Sequence, residues 1–504
     1  MPHPLARALV RPLVRRLLLL LSLGAATAPA GAQIAQGEFA ARRAALAAAL
    51  PDGVLLVLGA GEPNPDFIPF HQHPHFFYLT GFDEPGAALV VVKRGADVRQ
   101  LLFVRGRNPA QEVWNGARLG VEGVRRTLGM EGRDAAVLRT VVDSLLQSHR
   151  TLHVLGDIGA RMTERSAHDQ FVDAVAQANP QVTVDPRTAT RTVTLLRGRK
   201  SAAELERIRI ASEISARGHL AAFRLVQPGV AEFELQAAAE GVWRREGADG
   251  PSYGTIVGSG PNSTTLHYNR NDRTAQAGEV IVMDMAAYFD NYAADITRTV
   301  PVSGRFTPEQ RTIYGIVLDA QKAAERQIRV DGPSRAMTDS ANATLAAGLT
   351  AAGLIESPSA TYDCGTPDTP RTCPQLSLFY MHGLGHGIGL LVHDPDQYSA
   401  TGRFAVGSAF TIEPGVYVRG NLLDIIPDTP RNREVKARIG PAVRRYADIG
   451  VRIEDDFLIT ANGVIRPSAI VPREIDEVER VMAEPRTPRD PAVVERYRRM
   501  KSGR

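Results

Sequence analysis

The stretch MHGLGHGIGLLVHD, residues 381–394, is the tightest constraint in this chain. Glycine stands on alternate positions, at 383, 385, 387 and 389. His382 and His386 are four apart, the spacing of a helical metal pair. Yet each glycine would cost a helix about 1 kcal/mol relative to alanine. With period two, Leu384, His386, Ile388 and Leu390 share one face of an extended strand, and the other face is bare backbone. Such a strand implies that something approaches it very closely. His386, on the populated face, needs a partner that the rest of the chain must supply.

The chain has 504 residues, more than one ordinary core takes, so two domains are expected. Residues 33–190 alternate strand-like runs (GVLLVLG, GAALVVVKR, RQLLFVRGR, TLHVLGD) with helical ones, the pattern of an α/β domain. A second unit, residues 191–482, opens with the capping box Ser201-x-x-Glu204, which starts a long helix that Gln227-Pro228-Gly229 is expected to close. Another helix is expected from Thr307-Pro308, with threonine at the N-cap and proline in the first turn. The run RGNLLDIIPDTPRNREVKARIGPAVRRYAD reads as a surface insertion, and the basic end, residues 483–504, as a solvated tail.

Residues 1–32 read as a cleavable secretory signal. Arg7, Arg11, Arg15 and Arg16 form its basic region, an apolar stretch starts at Leu17, and Ala28-Pro29-Ala30 or Ala30-Gly31-Ala32 offers a small-residue cleavage site. The expected destination is the periplasm or the medium, with no stable membrane anchor after cleavage. Those four arginines, with no acid among them, account for the whole formal charge of +4. A mature chain without net charge gives no reason to expect nucleic acid. In an exported chain, Cys364 and Cys373 are expected to form a loop disulfide rather than free or metal-binding thiols.

Charged residues at interior-looking positions carry the chemistry. In VIVMDMAAYFDNYAADITRT, Asp284 ends an apolar run and Asp290-Asn291 is a turn signal. A turn centred between Phe289 and Asp290 would set Asp284 opposite Asp295, on the same face of a hairpin. Glu413 lies inside the apolar strand FTIEPGVYV, and Glu454 lies in GVRIEDDFLIT on the same face as Arg452. Buried carboxylates need a cation or must stay protonated. Asp284, Asp295, His386, Glu413 and Glu454 therefore form one expected metal set, and His386 points at it. An oxygen-rich site with one imidazole favours Mn²⁺, or Co²⁺ or Fe²⁺, over a thiolate or histidine-rich zinc site. Four carboxylates nearly balance two divalent ions, which would lower the pKa of water and hold a carbonyl oxygen.

At these residues the sequence resembles the pita-bread metallopeptidases of the creatinase and methionine aminopeptidase superfamily, nearest the proline-specific aminopeptidase P group. The motifs are IVGSGPNSTTLHY, VIVMDMAAYFDNYAADITRTVPVSGRF, MHGLGHGIGLLVHD, TIEPGVYV and GVRIEDDFLIT, with FFYLTGFDEPGAALVVV and FVRGRNPAQEVWNGARLG in the first half. The resemblance spans residues 37–482. It implies an α+β pita-bread catalytic domain behind the α/β domain, and two divalent metal ions. Asp284 would bind one, Asp295 and Glu454 would bridge both, and His386 and Glu413 would complete the other. His267 and His393 match histidines that stabilise the oxyanion or relay a proton, His382 one that lines a proline pocket, and Arg452 an arginine near the bridging glutamate.

The implied reaction cuts peptides with proline at position two, a hydroxide held between the metals attacking the carbonyl and Glu413 shuttling the proton. A proline nitrogen in a peptide bond carries no hydrogen, so the site must be dedicated to it. Prolidase, limited to Xaa-Pro dipeptides, shares the ligands and stays open; a non-catalytic binding module of the same fold is the remaining alternative. A dimer or tetramer is expected by the same resemblance. His71, His73 and His75 are expected at a loop or an interface, not at a second metal site.

Overall fold

The computed structural model describes residues 34–65, 68–159, 165–366, 368–489, 491–493 and 495–496. The proposed signal segment, residues 1–32, lies outside them.

The first unit is a six-stranded mixed sheet. Its central strand Gly53–Leu58 pairs antiparallel with Ala88–Arg94 and parallel with Thr151–Leu155. Period-two alternation divides the apolar residues cleanly. Val54, Leu56, Val90 and Phe103 enter a core on one face, and Leu55, Val57, Leu89, Val91 and Leu102 one on the other. Both faces are covered, so these strands read as unbroken apolar runs. The second core also takes Tyr292, Ile388, Leu390, Ala409 and Leu458 from the second unit, so it is shared between the domains.

The second unit is α+β. Strand Val280–Asp284 lies between Ile256–Ser259 and Thr297–Pro301. Ala409–Ile412 pairs with Asp455–Thr460, and Gly415–Val418 with Ile449–Arg452. A bridge between Thr297 and Glu454 joins these groups. The helix Ala202–Phe223 starts at the expected capping box, and Pro308–Glu325 at Thr307 with a second box to Gln310. The first of these ends at Phe223, short of Gln227-Pro228-Gly229. Cys364 and Cys373 are joined in a disulfide.

Two expectations change. The run after Val418 is not a surface appendage: its helix Pro430–Arg445 sends Val435, Ile439 and Val443, one turn apart, into the main core. The start of the basic tail is docked rather than solvated. Thr487 N–H donates to Arg224 O at 2.9 Å, and Arg489 makes a forked pair with Glu234 at 2.9 and 2.5 Å. Among the described residues, no helix is long and apolar enough to cross a membrane.

The histidines of HQHPHFF lie at the junction of the two domains. His71 faces Tyr288 with ring centroids 6.1 Å apart, and His73 and His75 are 5.5 Å apart.

Candidate metal centre

The glycine-rich stretch is extended, but it forms no full strand of its own. Glu413 N–H donates to Leu384 O at 2.8 Å, Thr411 N–H to His386 O at 2.9 Å, and Ile388 N–H to Ala409 O at 3.1 Å. The close approach inferred from the bare face is made by the protein's own backbone: a Cβ on Gly385 would overlap the Thr411 carbonyl oxygen. Gly385→Ala is therefore expected to lower stability by about 1–3 kcal/mol or more, because a backbone atom blocks the way. Gly383, with open space around it, tolerates alanine in the same melting measurement. Equal melting temperatures for the two variants would contradict this account.

The aspartate hairpin differs in register from the expectation. Asp290 and Asn291 both take positive φ, 49° and 66°, and form a two-residue turn. Phe289 then pairs with Tyr292, and Asp284 stands opposite Thr297, not Asp295. The slip is two residues, so Asp295 keeps the same face and becomes the diagonal neighbour of Asp284. One hydroxyl spans them: Tyr253 Oη lies 2.6 Å from Asp284 Oδ1 and 2.7 Å from Asp295 Oδ1. A phenol has one hydrogen to give, so it cannot by itself satisfy both carboxyls.

The five expected ligands converge. His386 Nε2 is 3.4 Å from Asp295 Oδ2 and 3.5 Å from Glu413 Oε1. Asp295, His386 and Glu454 each offer an atom within 4.8 Å of the others. His386 Nδ1 faces the Gly387 carbonyl at 3.2 Å; a hydrogen there would leave Nε2 to bind a metal ion once its own proton is displaced.

Electrostatics show what the set lacks. Burial raises the carboxyls of Asp284, Glu413 and Glu454, opposed at Asp284 by Arg452 and at Glu413 by His386, and Glu413 reaches about 7. Burial also lowers His386, but the hydrogen bond and charge of Asp295 with Glu413 outweigh it and lift the ring to about 9. Crowded carboxyls that gain protons, beside an imidazole that gains charge, are short of positive charge. Divalent ions fit that deficit and this hard donor set.

Arg452 organises the far side. It donates from Nη2 to Asp284 Oδ2 at 2.5 Å, from Nη1 to the Tyr417 hydroxyl at 2.9 Å and from Nε to Thr297 Oγ1 at 3.2 Å. Thr297 passes its own hydrogen to Glu454 Oε2 at 2.6 Å. Tyr417, already accepting from Arg452, donates to His382 Nε2 at 2.8 Å. His382 Nδ1–H then donates to the Gly383 carbonyl at 2.8 Å. Burial and the neighbouring Arg452 hold His382 down at about 4, so its ring is neutral. His393 is exposed, with its ring 4.0 Å from that of His386. His267 is also exposed, close enough for its charge to act on His382 and His393.

Sequence reasoning missed Tyr253, Thr297, Tyr417 and the pair Ser212–Asp456, which holds the Asp295 amide from behind. Only Asp456 carried a signal, as a second acid in a buried strand.

Comparison with known proteins agrees with this architecture. Residues 206–461 match the model of metallopeptidase family M24, and residues 39–154 that of the aminopeptidase P N-terminal domain. The chain is 33% identical to the Xaa-Pro aminopeptidase of Haemophilus influenzae over 90% of this chain and 98% of the relative. The Escherichia coli Xaa-Pro aminopeptidase is 32% identical over 89% and 98%. Zinc-substituted E. coli aminopeptidase P in complex with product superposes with a TM-score of 0.75 at 30% identity, covering 90% of this chain and 100% of that one. Proline aminopeptidase P II from Yersinia pestis gives 0.75 at 30% identity, covering 89% and 100%. With the aminopeptidase P N-terminal domain ahead of a pita-bread half that carries this centre, the chain belongs to metallopeptidase family M24.

Proposed function

We propose that the protein is an exported Xaa-Pro aminopeptidase that holds two divalent ions, Mn²⁺ by preference, and releases the residue before a proline at position two. The observation that carries this reading is that Asp295, His386 and Glu454 offer atoms within 4.8 Å of one another, with Asp284 and Glu413 adjoining them and His267, His382 and His393 around the set. Asp295 shares the Tyr253 hydroxyl with Asp284 and also faces His386, and Glu454 stands beside it, so these residues would hold the ions together.

Bound divalent ions supply an acidified water and a grip on the carbonyl oxygen. The chain's own residues do the rest. Glu413 lies within 3.6 Å of His382 and 3.5 Å of His386, between the metal set and the neutral histidine, and is placed to move a proton to the leaving proline nitrogen. His393 and His267, exposed at the mouth, are placed to hold the oxyanion or relay a proton. Arg452 keeps Asp284 and, through Thr297, Glu454 in place, and through Tyr417 orients His382 at the proline side.

The decisive experiment incubates residues 33–504 with Mn²⁺ and Ala-Pro, Ala-Pro-Pro-Ala or Ala-Ala-Ala-Ala, and reads released alanine. Release from Ala-Pro-Pro-Ala but not from tetra-alanine is expected. Release from Ala-Pro alone would make the protein a prolidase, and no release with any divalent ion would leave the binding-module reading. Dialysis against a chelator is expected to abolish release, and Mn²⁺ to restore it. Export is tested on the mature N-terminus by mass spectrometry, with Gly31 or Gln33 expected first. Light scattering tests the expected dimer or tetramer.

A further inference from the structure

We propose that half-buried His75 and buried Arg197 and Asp394 form a line of positioning residues through which the N-terminal domain sets the placement of His386 and His393. The roles of those two histidines rest on the peptidase reading; the line itself rests on geometry.

Asp394 N–H donates to Gly387 O at 2.8 Å and closes a loop. His386 immediately precedes that loop, and His393 is its last residue before Asp394. Closing it is what brings the two rings to 4.0 Å. The loop has no room to close differently: a Cβ on Gly389 would sit 2.5 Å from Asp394 Oδ2 and 2.8 Å from the Lys200 side chain. It is also tied to the aspartate hairpin, where Ala293 N–H donates to Gly389 O at 2.7 Å.

The Asp394 carboxylate is the stem of this loop, and two cations from the segment between the domains grip it. Arg197, the last residue of the helix Arg187–Arg197, donates to Oδ1, and Lys200 Nζ donates to Oδ2 at 2.8 Å. Lys200 spends its other hydrogens on Arg197 O at 2.8 Å and Pro395 O at 2.7 Å. The three side chains are no more than 2% exposed. Beyond Arg197 stands His75, in the first-domain helix Pro74–Thr80: Nη1 lies 2.9 Å from His75 Nδ1. A guanidinium only donates, so His75 accepts and is neutral with its hydrogen on Nε2.

The line thus runs from a ring in the first domain through a guanidinium and a carboxylate to the base of the histidine pair. A buried ionic line contributes little net stability against an apolar replacement of the same volume. What it supplies is a set distance and direction, which a catalytic pair needs. No described contact places His75 against the metal set; its hydrogen bond reaches the loop through Arg197, beside the apolar contacts that Ile388 and Leu390 make in the shared core.

The test compares His75→Leu with His75→Asn, whose side-chain oxygen can still accept from Arg197. On Ala-Pro-Pro-Ala with Mn²⁺, His75→Leu is expected to lose about 10-fold in kcat, because small misplacements near reacting groups are costly. Its KM is expected to stay within about twofold, and His75→Asn to stay within about twofold of the parent in both constants. In the metal-free proteins, amide exchange in residues 387–394 is expected to speed up in His75→Leu and not in His75→Asn. Parent-like kcat and exchange in His75→Leu would overturn the proposal. So would equal impairment of both variants, or a loss confined to KM. If the parent released no alanine, the peptidase reading would fall, and the exchange comparison would still decide the line.

Discussion

Glu413→Ala is expected to reduce kcat on Ala-Pro-Pro-Ala by about 10³-fold or more, since one side chain is proposed both as a metal ligand and as a proton carrier. The same change is expected to leave the melting temperature of the metal-free protein unchanged or raise it. Burial lifts Glu413 to about 7, and Asp295 and Asp284 add repulsion that His386 and Arg452 only partly offset. Removing a carboxyl held in that field relieves the folded state while it disables the site, the usual trade between stability and activity. The backbone is independent of the side chain, because Glu413 N–H remains bonded to Leu384 O at 2.8 Å. Glu413→Gln, which keeps the shape but cannot carry the charge, should lose activity to a similar degree. A variant retaining about a tenth of the parent kcat would move the chemistry away from Glu413.

The largest expected effect on stability belongs to Arg298, on the strand Thr297–Pro301 next to the bridge between Thr297 and Glu454. Arg298 is fully buried and donates to Asp455 Oδ1 at 2.6 Å, Glu454 O at 2.6 Å, Thr297 O at 2.9 Å and Val471 O at 3.0 Å. Arg298→Leu leaves a buried carboxylate short of a partner and several carbonyls unbonded, at an expected cost of about 3–5 kcal/mol. Urea unfolding checks it through the midpoint and slope. The pH dependence has a definite sign. Burial alone would raise Asp455, but Arg298, Arg466 and Arg473 hold it well below the usual carboxylate range. A depressed carboxyl contributes stability that is present above its unfolded pKa of about 3.9 and lost as pH falls toward the folded value. The gap between parent and variant should therefore be widest near neutrality and narrow below about pH 4. A gap independent of pH would show that the lost carbonyl bonds, not Asp455, dominate.

What was legible in the sequence was what neighbours along the chain decide. The Ser201 capping box and the Thr307 N-cap formed where they were expected, because a cap is closed within four residues. Unbroken apolar runs such as GVLLVL, alternating with helical segments, announced the α/β domain, and the structure covers its sheet on both faces. The candidate metal set was legible because carboxylates and a histidine inside apolar stretches have few stable fates. Even the misplaced turn did no harm to it: both central residues of the hairpin are in the left-handed region, a choice Asp-Asn permits without announcing, and an even slip preserves the face.

By itself, then, the sequence determined the two-domain order, the main helix starts and which five residues to look for as one candidate metal set. Tertiary structure alone decided the hairpin register, the burial of the helix Pro430–Arg445, the phenols of Tyr253 and Tyr417, and the line from His75 to Asp394. Arg197 and Asp394 are 197 positions apart, and Tyr253 reaches its two aspartates across 31 and 42 positions. No local pattern records such partners, because a polar side chain needs only some partner when buried, and which one it meets depends on how distant segments pack.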